Sequence, residues 1–135
     1  MQSYFRFPCS LLIFFFVVQS ALASDIALEI GRYYKGDGLG TNISIVLAAE
    51  GSYEATWTGC LGNYGNSKGT WEIEGAILTF LPSAEDGMLE NFLGEMKIVE
   101  YKGQAAFVAA HSQTEHEELI AEFGRSFYVY TLRTP

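Results

Sequence analysis

Short runs in which polar and apolar residues alternate strictly, parted by glycine-bearing turns, constrain this chain more than any other feature of its sequence. Residues 52–58 set Tyr53, Ala55 and Trp57 on one face and Glu54, Thr56 and Thr58 on the other, the period of a half-buried β-strand. The same period recurs over 41–47 (Ile43, Ile45 and Leu47 inward), over 70–74 (Trp71 and Ile73 inward) and over 76–81. Ala49-Glu50-Gly51-Ser52 and Glu74-Gly75 read as tight hairpin connections, because glycine reaches the positive φ that such turns need. Neighbours joined so tightly must pair antiparallel. Residues 95–101 and 104–110 flank Tyr101-Lys102-Gly103 as a further hairpin, 126–132 is rich in strand formers, and a first strand is expected over 30–35. A sheet of about eight short strands must deal with its two edges, and closing into an up-and-down barrel removes them. The expected fold is therefore all-β, a single small antiparallel up-and-down β-barrel, with a β-sandwich as the alternative.

One helix is expected over 114–123. Thr114 and Glu117 have the spacing of a capping box, Gly124 sits where a helix would stop, and Leu119, Ile120 and Phe123 share a face. That stripe would pack on the barrel, lying across one mouth like a lid. Pro82-Ser83-Ala84-Glu85-Asp86-Gly87 breaks the strand pattern, and 88–93 is expected to be a loop or a turn of helix.

Ahead of the first strand, Arg6 precedes an apolar run of ten residues from Cys9 to Val18, which leads into Ala21-Leu22-Ala23. A membrane-spanning helix needs about twenty apolar residues, so this run has the form of a cleavable signal peptide instead. The reading is a leader over 1–23, cut after Ala23, and one domain over 24–135. The product is expected in the periplasm or outside the cell, without stable membrane insertion once the leader is removed. All sixteen acidic residues and seven of the eight basic ones follow Ala23, so the exported part carries 7 − 16 = −9 charges. That surface repels nucleic acid and suits solubility or a cationic partner.

Cys60 is the sole cysteine after Ala23, which excludes a disulfide within the exported chain. Free cysteine is among the most buried residue types, and burial is the expectation here. Cys60 lies in the most distinctive stretch, Trp57-Thr58-Gly59-Cys60-Leu61-Gly62-Asn63-Tyr64-Gly65-Asn66-Ser67-Lys68-Gly69-Thr70-Trp71. Read functionally, Trp57, Cys60, Tyr64 and Trp71 form a ligand-contacting loop at a barrel mouth; read structurally, they belong to a glycine-bent hairpin whose aromatics fill the core. A nucleophilic Cys60 would need His111 or His116 as its base, the only imidazoles in the chain, and no hydrolase signature surrounds it. Five residues along a helix turn a side chain away from its starting face, so the two histidines do not read as a metal site. Gly36-Asp37-Gly38-Leu39-Gly40-Thr41-Asn42 lacks the spacing of a phosphate loop and the carboxylates of a calcium loop. No metal and no cofactor are expected.

Gly31-Arg32-Tyr33-Tyr34-Lys35-Gly36-Asp37-Gly38-Leu39-Gly40-Thr41-Asn42, Gly51-Ser52-Tyr53, the stretch from Trp57 to Gly65, and Gly69-Thr70-Trp71 together resemble a group of small exported bacterial proteins with lipocalin-like β-barrels. The likeness is clearest over 31–82. Lipocalin first strands open with a glycine and an aromatic residue two places on, where this chain has Gly31 and Tyr33 in place of the usual tryptophan. The resemblance implies export and a barrel, and brings no activity with it. The leading functional expectation is a non-enzymatic barrel that binds a small apolar ligand or a cell-envelope component, within the barrel or at its mouth. The alternative is a protein-binding module, an inhibitor or envelope scaffold, using its acidic surface; a Cys60-dependent enzyme comes third.

Overall fold

The computed structural model describes residues 27–37 and 39–135; the leader expected over 1–23, its cleavage point and Gly38 lie outside the described residues. Eight strands follow one another as β1 (Gly31–Gly36), β2 (Asn42–Leu47), β3 (Ser52–Gly59), β4 (Gly62–Glu74), β5 (Ile77–Gly87), β6 (Glu95–Tyr101), β7 (Gln104–Ala109) and β8 (Val129–Arg133), with α1 (Gln113–Phe123) between the last two. Each strand pairs antiparallel with its sequence neighbour, and β8 returns to β1 to close the barrel. The up-and-down barrel is thus the fold, and the sandwich is not.

Alternation sets the wall. In β2, Ile43, Ile45 and Leu47 point inward and are buried, and across the register they face Trp57, Ala55 and Tyr53 of β3. The outward set of β3 pairs as polar residues do, Glu54 opposite Lys68 of β4. Thirteen buried side chains make one core that fills the barrel, and its centre is aromatic: Phe107 stacks on Tyr130 at 5.1 Å and lies 4.8 Å from Tyr33. Burying each such side chain contributes about 1.5–3 kcal/mol, which lets the barrel hold its shape with no disulfide among the described residues.

Two expectations about elements are corrected. The break at 82–87 is not a break: β5 runs through Pro82 to Gly87, and β4 begins at Gly62, so these two strands form the longest hairpin. Proline is tolerated because the register slips beside it. Gly69 pairs with Pro82 and Lys68 with Ala84, leaving Ser83 as the extra residue of a bulge whose hydroxyl donates to the Lys68 carbonyl at 3.1 Å. The helix, in turn, is not a lid across a mouth. It folds back along the outside of the wall, where Ala106, Val108 and Val129 form a second, outward-facing apolar cluster, and it buries His116 with its ring 6.2 Å from that of Tyr101. No side-chain cap bond forms at its start, which follows Ser112, so the Thr114 capping box is absent; Gly124 does end it, at φ 67° with its N–H on the Ile120 carbonyl.

Candidate functional site at the rim of the barrel

Up-and-down winding gathers alternate connections at each end. Residues 37–41, 60–61, 88–94 and 110–128 meet at one end, called the rim here, and the other three connections lie at the opposite, turn end. Asp37 shapes the first rim connection: its Oδ1 accepts the backbone N–H groups of Leu39 (2.8 Å), Gly40 (3.0 Å) and Thr41 (3.4 Å). Those three donors hold its carboxyl below the usual aspartate range and leave Leu39 72% exposed.

The β3–β4 hairpin turns through Cys60 and Leu61 alone. Gly62 supplies the unusual backbone angle the turn requires, φ 116°. Just beyond, Trp57 pairs with Gly65 and Thr58 with Asn63, which leaves Tyr64 as the extra residue of a second bulge. The Tyr64 ring covers Gly59, where any Cβ would overlap it, and its hydroxyl accepts the Leu61 N–H at 3.3 Å. The hairpin also grips its neighbour: the Cys60 thiol donates to the Leu39 carbonyl at 2.8 Å and Trp57 Nε1 donates to the Gly40 carbonyl at 3.4 Å.

The third connection, 88–94, is tied to the same bulge by the Met88 N–H on the Tyr64 carbonyl at 2.8 Å. It drops Leu89 and Leu93 into the barrel core, closing this end, and leaves Met88 and Phe92 partly bare. Phe92 meets Trp57 edge to face at 5.1 Å, and Lys35, whose ammonium burial drives toward the neutral form, lies 5.8 Å from the Phe92 ring and 4.9 Å from Tyr130. The outcome is a single knit surface that exposes Leu39, Leu61, Met88 and Phe92. Leu61 at the hairpin tip is 91% exposed.

Of the four residues singled out in the sequence, Trp57, Cys60 and Tyr64 come together here and Trp71 does not. Trp71 sits at the turn end opposite Phe80, its backbone N–H donating to the Gly51 carbonyl at 2.9 Å and its indole against the core. Six residues of extended β4 separate it from Gly65, about 20 Å. The expected burial of Cys60 is also corrected: the thiol is exposed, because a two-residue turn projects its side chains away from the core. Sequence reasoning missed Leu39, Leu61, Met88 and Phe92, although apolar residues in glycine-flanked connections are the signal that could have found them. Comparison with protein-family models, with curated proteins and with solved structures returned no match.

Proposed function

We propose that this chain is an exported, non-enzymatic binding module whose partner is a protein, engaged through the rim. The observation that carries the reading is Leu61, a large apolar side chain held almost fully in solvent at the tip of a hairpin that the Tyr64 hydroxyl and the Cys60–Leu39 contact keep from bending. Leaving such a group in water is unfavourable, and holding it rigid lowers the entropy lost when a partner covers it. Asp37, Asp86 and Glu90 border the apolar rim, which suits a partner with basic residues around an apolar pocket. Thirteen side chains already occupy the barrel interior, which favours this reading over an apolar ligand held inside.

Photo-crosslinking tests it. A benzophenone amino acid at position 61, compared with one at position 75 of the turn end, is expected to capture a discrete protein from the exported fraction only from position 61. Leu61→Asp should weaken binding to that protein at least tenfold while changing folding stability by less than about 0.5 kcal/mol. Equal capture from both positions would sink the proposal. A small apolar mass released on denaturation, with no adduct from position 61, would put the ligand reading first.

A further inference from the structure

A second concave surface lies between α1 and the barrel wall, about 540 Å³ in volume. Its apolar lining comes from Leu119 and Phe123 of the helix, Phe127 of the segment after it, and Tyr101 at the end of β6. Phe123 is 59% and Phe127 67% exposed, so two phenyl rings stand largely in water on one side of a groove. Tyr101 fixes the groove's shape, its hydroxyl accepting the Ser126 N–H at 3.5 Å while its ring faces His116 on the helix.

Charge decides what this groove suits. Lys102 and Arg125 line it, with the Lys102 ammonium 5.2 Å from the centre of the Tyr101 ring, and its other lining residues, Gly36 and Ser126, are uncharged. Sixteen acids and eight bases are spread over the whole chain, yet among the described residues no carboxylate lines this groove. Two cations beside bare aromatic surface match a molecule that carries one negative charge on an apolar body. A membrane surface is the poorer match, because the strongly acidic chain as a whole is repelled by an anionic bilayer, whereas a single dispersed molecule meets only the local field.

We propose that this groove binds the anion of a fatty acid, with the carboxylate between Lys102 and Arg125 and the alkyl chain along Leu119, Phe123 and Phe127. The groove shares none of its lining with the exposed Leu39, Leu61, Met88 and Phe92 or with the protein partner proposed for them.

Titrating the ¹⁵N-labelled protein with sodium dodecanoate below its micellar concentration tests the assignment. The expected result is saturable one-to-one binding, with amide shifts concentrated on 101–102, 119–127 and Gly36. Dodecyltrimethylammonium, with the same chain and the opposite charge, should bind at least tenfold more weakly. The double variant Lys102→Gln/Arg125→Gln should lose at least tenfold in dodecanoate affinity, and Phe127→Ser a smaller factor, with spectra otherwise unchanged. Equal affinity for the two amphiphiles, an unaffected double variant, or shifts centred on Leu39, Leu61, Met88 and Phe92 would each overturn the site. So would binding seen only with phosphatidylglycerol vesicles, which would assign the surface to a membrane.

Discussion

The two ends of the barrel are built from the same strands and to opposite standards of economy. At the turn end the connections are 48–51, 75–76 and 102–103, none longer than four residues, and Trp71 packs its indole over the core beside them. At the rim the connections are five, two, seven and nineteen residues long, and they hold Leu39, Leu61, Met88 and Phe92 in solvent. A connection that serves only to reverse the chain needs a turn and little else; each residue beyond that adds ordering cost. The rim meets that cost with bonds between its own connections, Cys60 to Leu39, Trp57 to Gly40 and Met88 to Tyr64, rather than with burial. That arrangement is what the protein-binding role proposed above requires of the rim.

Paired substitutions at the two ends sharpen or break this contrast. The largest difference is expected between two glycines of nearly equal φ, Gly87 at +58° on the rim side and Gly75 at +60° in a tight turn. A Cβ on Gly87 would overlap the Tyr64 carbonyl oxygen, while one on Gly75 would meet open space. Gly87→Ala should therefore cost about 3 kcal/mol and Gly75→Ala about 1 kcal/mol in urea unfolding. Equal losses would show that the rim is not locked through Tyr64.

A smaller difference separates two core tyrosines. Tyr53 shares a 2.7 Å hydrogen bond with the Ser67 hydroxyl, whereas the buried Tyr130 hydroxyl has no partner among the described residues. Tyr53→Phe should cost about 1 kcal/mol, and Tyr130→Phe should be neutral or stabilising in the same unfolding measurement. A clear loss on Tyr130→Phe would reveal a partner for that hydroxyl.

The smallest effect concerns the long rim connection where α1 lies on the wall. Burial holds the His116 pKa below the ordinary histidine value, with Glu117 pulling weakly the other way. The unfolded chain then binds a proton that the folded chain resists. The contribution of His116 is fully present above about pH 6.5 and is lost as pH falls from there through the depressed folded value. Unfolding curves from pH 8 to pH 5 should show this decline, and His116→Gln should flatten it.

How far the sequence was legible follows the same division. Strands whose inward faces carry large apolar residues, such as Ile43, Ile45 and Leu47, announce themselves by period, and β6 lies where the pattern places it. The rim-side halves of β4 and β5 do not, because Gly65, Ser67 and Gly69 of β4 stand there opposite Gly87, Glu85 and Pro82 of β5. Backbone approaches so closely there that a Cβ on Gly69 would overlap the Leu81 carbonyl. Small residues erase the hydrophobic period at the place where the chain needs room. Trp57, Cys60 and Tyr64 could be grouped from sequence because one hairpin carries them. Their contacts with Leu39 and Phe92 depend on how the other connections fold over that hairpin, which no local pattern records.

Seven of the eight strand pairings join consecutive strands, while the eighth sets Arg32 opposite Arg133, 101 positions along the chain. Six of the seven can form by zipping outward from a connection of seven residues or fewer and the pairing of β7 with β8 spans nineteen, but the seam between β1 and β8 must wait for nearly the whole chain to be in place. Until it shuts, the molecule is a curled sheet with two unsatisfied edges, and each edge is complementary to the opposite edge of another copy. Protein concentration during folding thereby selects between a monomer closed on itself and copies that have exchanged their final strand.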